Sequence, residues 1–103
     1  MDISKTLAER GSRYGSFVDQ GRIEQNIKRA FADSPNWDEL KDDSKSALEM
    51  MATKISRILK GDPEFHDSWH DIVGYAKLVA DRIDHASKVR AAVGRTLPTR
   101  KSP

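Results

Sequence analysis

Residues 64–78, EFHDSWHDIVGYAKL, decide the fold of this chain. Apolar residues recur there at Phe65, Trp69, Ile72 and Ala76, with the spacing of one face of an α-helix. The pattern continues downstream, and Pro63 suits the first position of a helix. We therefore predict a long helix from Pro63 to about Ala92. Its buried stripe would consist of Phe65, Trp69, Ile72, Ala76, Val79, Ile83 and Ala86.

A second helix is predicted from the cap residue Ser16 to about Asp33, where Pro35 disfavours continuation of the helix. Gly21 weakens the middle of this helix by about 1 kcal/mol, which suggests a close helix crossing. The apolar stripe of this helix comprises Ile23, Ile27, Ala30 and Phe31.

A third helix is predicted over residues 44–60, capped by Asp42 or Asp43. Gly61 would end it in a left-handed conformation, which glycine adopts readily. Its buried stripe would contain Leu48, Met51, Ala52, Ile55, Ile58 and Leu59.

The remaining segments are short. Residues 2–9 predict a short helix, Gly11 and Gly15 bracket a tight loop, and residues 37–40 predict a single turn. No segment alternates as a strand does. The fold class is therefore all-α, a small bundle of three main helices plus a short N-terminal one. We expect one domain over residues 1–93 and a flexible basic tail over 94–103.

Composition narrows the possible functions. The chain has 103 residues and no cysteine, which excludes disulfides and thiolate metal sites. No apolar run is long enough to span a membrane, so a cytoplasmic protein is expected. Beyond residue 87 the chain has basic residues and no acid, whereas the rest is mildly acidic. Nucleic acid is therefore expected to bind only weakly, through the tail.

Three carboxylates share one face of the last predicted helix. Glu64, Asp67 and Asp71 stand at i, i+3 and i+7, so they stack over two turns. Carboxylates at this spacing can hold Mg²⁺ together with phosphate oxygens. The alternative is a solvated acidic stripe that pairs with basic residues, for which the candidates are Lys54, Arg57 and Arg82.

Two other groups of residues leave their roles open. His66 and His70 share a helix face, but the third ligand of a zinc site is missing from the expected position, so surface histidines are the default. The glycine-bracketed loop carries Arg13 and Tyr14. Tyr14 would either pack on the core or, together with Arg13, reach a ligand.

The runs RGSRYGSF, KISRIL and DSWHDIVGYAKL together resemble a family of small phage and prophage proteins of unknown function, over about residues 5–84. More distantly, residues 67–76 are similar to the last helix of MazG-like all-α nucleotide pyrophosphohydrolases. Those enzymes are usually oligomeric and use Mg²⁺ to cleave nucleoside triphosphates.

The resemblance implies roles for particular residues. Metal would be held by Glu49, Glu64, Asp67 and Asp71. A nucleotide and its phosphates would be bound by Arg13, Tyr14, Lys54, Arg57, Trp69 and Tyr75. The chain departs from the MazG-like pattern because Glu49 is the only acid on its helix and Ala52 stands three residues later.

Three functions follow as hypotheses. The first is a phage accessory protein that binds a nucleotide or a host protein without catalysis. The second is a divergent Mg²⁺-dependent nucleoside triphosphate pyrophosphohydrolase, and the third a DNA-associated accessory protein. A homo-oligomer is expected in each case, because one small core would not cover residues such as Trp37 and Trp69.

Overall fold

The computed structural model describes residues 2–96 and contains, over that range, four α-helices, a single 3₁₀ turn and no strand. The helices are α1 (Ile3–Tyr14), α2 (Phe17–Ala32), α3 (Asp42–Lys60) and α4 (His66–Thr96), and the 3₁₀ turn is Trp37–Glu39. The all-α prediction is therefore confirmed.

The helices form an open layer with α3 in the middle. The end of α3 meets the start of α2 through Lys60 and Asp19, whose Nζ and carboxylate oxygen lie 3.4 Å apart. The start of α3 meets α4 through Asp43 and Arg82, 2.8 Å apart. Both neighbours therefore run antiparallel to α3. In residues 2–96, α2 and α4 share no packing interface comparable to those that each forms with α3.

The first helix is longer than predicted. α1 passes through Gly11 and ends at Tyr14, since the N–H of Gly15 donates to the carbonyl of Gly11 and extends the helical pattern. The predicted loop shrinks to Gly15 and Ser16. Only Gly15, with φ of 79°, needs the freedom of a glycine to make the turn.

Gly61 ends α3, but the predicted left-handed conformation is wrong, because its φ is −100°. A glycine is needed there for space. A Cβ on Gly61 would collide with the backbone of Arg13 and Tyr14, and a Cβ on Gly15 would collide with the carbonyl of Lys60. The two glycines therefore let the ends of α1 and α3 touch backbone to backbone.

Three smaller predictions need correction. Lys41, not Asp42 or Asp43, is the N-cap of α3. Gly21 marks no close crossing, because nothing in the structure lies within 4 Å of a Cβ built there. Helix α4 begins at His66 rather than Pro63, since the Asp62 side chain accepts the N–H of Glu64 and holds a turn ahead of the helix.

The long helix continues further than expected. It passes Gly94 and reaches Thr96, three residues into the segment predicted to be a tail. Residues 97–103, the rest of that predicted tail, lie outside the described residues.

The buried stripe of α4 was predicted in part. Phe65, Ile72, Val79 and Ala86 are half-buried, but Trp69 is 52% exposed, Ile83 is 51% exposed and Ala76 is also exposed. The helix turns towards α3 a face that runs through Ser68, Ile72, Tyr75, Val79 and Arg82. Polar contacts explain why this face is turned towards α3. The Arg82 guanidinium donates two hydrogen bonds to Asp43, at 2.8 and 2.9 Å, and a third to Ser44.

Few apolar side chains are fully covered. Among the described residues, Ala47 and Ala52 are the buried apolar ones, and both lie on α3. Leu59, predicted to be core, is 63% exposed. The radius of gyration is 19.1 Å, whereas a compact domain of this length has about 13 Å. The chain therefore has a small core and a large uncovered apolar surface.

Candidate functional site

The four acidic residues of the predicted magnesium site lie in different surroundings. Asp71 lies against α3, and its carboxylate is 2.9 Å from the ammonium of Lys54. Glu49 is exposed and stands about 140° around α3 from Lys54, on a different side of the helix. Glu64 precedes α4, and Asp67 forms an exposed pair with His66 at 3.3 Å.

Within residues 2–96, no three His, Asp or Glu side chains are grouped as a candidate metal site. Asp71 is paired with Lys54 across the contact between α3 and α4. The hydrogen bond from Lys54 holds the pKa of Asp71 below its ordinary value of 3.8, so this carboxylate is kept charged as half of an ion pair between helices.

The residues predicted to bind a nucleotide are also divided. Lys54 is engaged by Asp71, and the indole N–H of Trp69 donates to the carbonyl of Pro63 at 2.9 Å. Tyr75 lies in a shallow groove between α3 and α4, next to Leu78. These three side chains do not share a site with Tyr14.

Tyr14 and Arg57, in contrast, lie in direct contact. The guanidinium carbon of Arg57 is 4.4 Å from the centre of the Tyr14 ring, and that of Arg10 is 5.5 Å from the same centre. Arg13 is displaced to one side, over the ring of Phe65 at 5.2 Å. These distances lie in the range of cation–π contacts, which hold the arginines against the aromatic rings.

The local backbone explains why these groups meet. The close approach at Gly15 and Gly61 brings the last turn of α1 to the last turn of α3. The N–H of Asp62 also donates to the carbonyl of Arg13 and fastens the two chain segments together. Tyr14 and Arg57 are therefore positioned by the backbone contact between these helices.

A cavity of about 480 Å³ opens beside this contact. It lies between α1, the start of α2 and the last turns of α3, and no Asp, Glu or His is among its lining residues. The lining consists of Leu7, Arg10, Gly11, Tyr14, Gly15, Ser16, Phe17, Gln20 and Arg57. We refer to it as the Tyr14 cavity.

One polar atom beside the Tyr14 cavity lacks a partner. The Nε of Arg57 is fully buried and has no hydrogen-bond partner in the part of the chain that the structure describes. Buried polar groups are rarely left unpaired, because each costs about 1–3 kcal/mol. Gln20, a residue only 7% exposed, also lines the cavity, but none of its side-chain atoms is both fully buried and unpaired.

Sequence reasoning missed three lining residues, Arg10, Phe17 and Gln20. Arg10 stands four residues before Tyr14, so a helix carried through Gly11 would have placed the two side chains together. Gln20 is a polar residue beside the apolar stripe of α2, which was the available signal for an unusual environment. Because a loop was predicted at Gly11, Arg10 and Tyr14 were not placed on one helix. The role of Gln20 depends on the tertiary contact of α2 with α3.

Together, fold and site define an all-helical protein with a basic, partly aromatic cavity. Comparisons of the chain with protein-family models, with curated proteins and with solved structures find no match. None of the helices within residues 2–96 is both long and apolar enough to cross a membrane.

Proposed function

We propose that this protein is a non-catalytic helical binding module that holds a nucleotide in the Tyr14 cavity. The observation that carries the proposal is Arg57, a guanidinium that lines a cavity without acidic residues and whose buried Nε has no hydrogen-bond partner within residues 2–96. A guanidinium in that state is suited to a phosphate, whose oxygens accept charge-assisted hydrogen bonds in pairs.

The other lining residues suit the rest of a nucleotide. Arg10 supplies a second positive charge at the same ring, and the 82% exposed Phe17 offers an aromatic face on which a base can stack. Gln20 supplies one donor group and one acceptor for a base edge. The volume of about 480 Å³ falls within the range of about 300–1,000 Å³ that is usual for small-molecule sites.

Binding without catalysis is the version of the hypothesis that this lining favours. The cavity has no carboxylate or imidazole to hold Mg²⁺ or to move a proton. The acidic residues that a pyrophosphohydrolase would need lie on other parts of α3 and α4. Phage origin, the distant similarity to MazG-like enzymes, a host protein partner and a cytoplasmic location stay predictions from the sequence.

Isothermal titration of the full chain tests the proposal. The probes are the four deoxynucleoside triphosphates, the corresponding monophosphates and inorganic phosphate, without added Mg²⁺. We expect at least one nucleotide to bind. Arg57→Gln should weaken that binding roughly 10- to 100-fold, because a hydrogen bond to a charged group contributes about 1.5–3 kcal/mol.

A pair of arginines on α1 provides the matched control. Arg10 lines the cavity, whereas Arg13 lies outside it over Phe65. Arg10→Gln should weaken nucleotide binding and Arg13→Gln should leave it unchanged, with helicity followed by circular dichroism. The proposal is wrong if no probe binds, or if both changes weaken binding equally. Release of pyrophosphate in the presence of Mg²⁺ would overturn its non-catalytic part.

A further inference from the structure

The walls of the Tyr14 cavity carry two positive charges and no negative one. Arg10 comes from α1 and Arg57 from α3, and their guanidinium carbons lie 5.5 and 4.4 Å from the centre of the same Tyr14 ring. Neither arginine forms a salt bridge with a carboxylate of residues 2–96. Within that range, the two charges are therefore left to a ligand.

Arg57 and Phe17 lie in different parts of this cavity. Arg57 is half-buried and its Nε is fully buried, so this side chain belongs to the inner wall. Phe17 is largely exposed, so its ring belongs to the rim. In the proposed function the phosphate lies at the arginines and the base stacks on Phe17. The cavity therefore sets how far apart the phosphate and the base of its ligand can be.

We infer that the Tyr14 cavity takes a nucleoside monophosphate and discriminates against the triphosphate. The inference rests on the proposed function, because it names the class of nucleotide that the same site accepts. A phosphate monoester carries a charge of about −1.5 to −2 at neutral pH. The guanidinium groups of Arg10 and Arg57 balance that charge, and each can donate paired hydrogen bonds to phosphate oxygens.

A triphosphate has two further phosphoryl groups, for which the walls of the cavity offer no further cation. If its terminal phosphate lay at Arg57, the base would be pushed out beyond Phe17 and would lose its stacking partner. If its first phosphate lay there, the other two would lie against uncharged walls such as Leu7 and Gly11, where unpaired charge is costly. Either arrangement binds more weakly than the monophosphate does.

Mg²⁺ does not restore the binding of the triphosphate at this site. In nucleotide sites Mg²⁺ is usually held by one or two carboxylates of the protein together with the phosphates of the nucleotide. The lining of the Tyr14 cavity contains no Asp or Glu. The Mg²⁺ complex of a triphosphate therefore gains no protein ligand for its metal there.

Isothermal titration of the full chain with the four deoxynucleoside monophosphates and the four triphosphates tests the inference. The best-bound monophosphate should bind about 10-fold more tightly than the triphosphate of the same base, which gives up stacking or charge pairing. Added Mg²⁺ should not reduce this difference. A triphosphate that binds as tightly as its monophosphate, with or without Mg²⁺, overturns the inference. The proposed function would then still stand, provided that Arg57→Gln weakens the binding.

Leu7→Lys tests whether the number of cations sets the preference. Leu7 lines the cavity and is 61% exposed on α1, so a lysine there adds a third positive charge without disturbing buried packing. The variant should bind the triphosphate roughly 10-fold more tightly than the wild type does, because the new charge meets phosphoryl groups that were unpaired. Its affinity for the monophosphate should rise less, so the preference should narrow or reverse.

Ile3→Lys is the matched control. Ile3 is 63% exposed on the same helix, but it does not line the cavity, so the variant adds the same charge outside the site. The ratio of the two dissociation constants should stay as in the wild type. An unchanged ratio in Leu7→Lys, or an equal change in both variants, overturns the inference. Absence of binding by every nucleotide would overturn the proposed function together with it.

Discussion

The two sides of α3 differ in what they leave unsatisfied. On the side of the Tyr14 cavity, the buried Nε of Arg57 lacks a hydrogen-bond partner within residues 2–96. About 160° around the helix, Ile55 is half-buried, and on the adjoining α4 Trp69 and Val73 are 52% and 63% exposed. One side of α3 therefore leaves a polar group without a partner, whereas the other leaves apolar side chains partly in solvent.

The largest expected effect concerns the backbone contact that builds the cavity side. Gly61→Ala places a Cβ against the backbone of Arg13 and Tyr14, so α1 must move away from α3. We expect the free energy that holds α1 against α3 to fall by roughly 1–3 kcal/mol. Hydrogen exchange of the backbone amides of residues 3–14 measures this change. Nucleotide binding should be lost, whereas the overall helicity, followed by circular dichroism, should persist.

That variant separates the two sides of α3. If Gly61→Ala also opened the contact between α3 and α4, the two sides would form one cooperative unit. If it left α1 protected and nucleotide binding intact, the contact between Gly61 and the end of α1 would not position the cavity.

A smaller effect of opposite sign is expected at Gly21. It lies inside α2, and nothing stands within 4 Å of a Cβ built there. Gly21→Ala should therefore raise the free energy of unfolding by about 0.5–1 kcal/mol, as alanine is the better helix former. Urea denaturation measures the change. A loss of stability would show that the position is crowded in solution, which a helix crossing or a partner would cause.

The smallest expected effect is the change of the free energy of unfolding with pH in the acid range. This change depends on the two ion pairs between α3 and α4. Hydrogen bonds from Lys54 and Arg82 hold the pKa values of Asp71 and Asp43 below 3.8. Each carboxylate therefore adds stability above pH 3.8, and this contribution is lost as the pH falls through the lowered pKa. The free energy of unfolding should therefore fall as the pH is lowered through that range.

Urea denaturation across the acid range measures this dependence. The double variant Asp43→Asn and Asp71→Asn removes both titrating groups, so its stability should change less steeply with pH than that of the wild type. An unchanged slope would mean that other carboxylates dominate acid unfolding and that the two ion pairs contribute little to the contact.

The sequence predicted the helices better than their packing. The start and end of α2 and the end of α3 followed from local signals such as Pro35 and Gly61, which act through the backbone of neighbouring residues. The face of α4 that packs on α3 could not be predicted from the sequence, because two series of apolar residues at helical spacing overlap on this helix. The choice between Trp69 and Tyr75 as the residue facing α3 depends on Arg82 reaching Asp43.

The candidate site was predicted only in part, because it depends on contacts between helices as well as on local signals. Arg57 and Tyr14 were named from the sequence, and the structure brings them together at 4.4 Å. Arg10 and Gln20 were missed because their contribution depends on how far α1 extends and where it docks. Lys54 and Asp71 were expected at a ligand site, but they meet each other across the helix contact.

The sequence by itself determined that the chain is all-helical and roughly where its three main helices lie, since caps, breakers and apolar spacing act within a few residues. Only the tertiary structure decided which groups share a site and which apolar residues are left uncovered. Both outcomes depend on contacts between residues far apart in the chain, such as Gly61 with Tyr14. Such contacts also decided that the carboxylates of α4, dense as they are in the sequence, lie apart from the cavity that Tyr14 and Arg57 form.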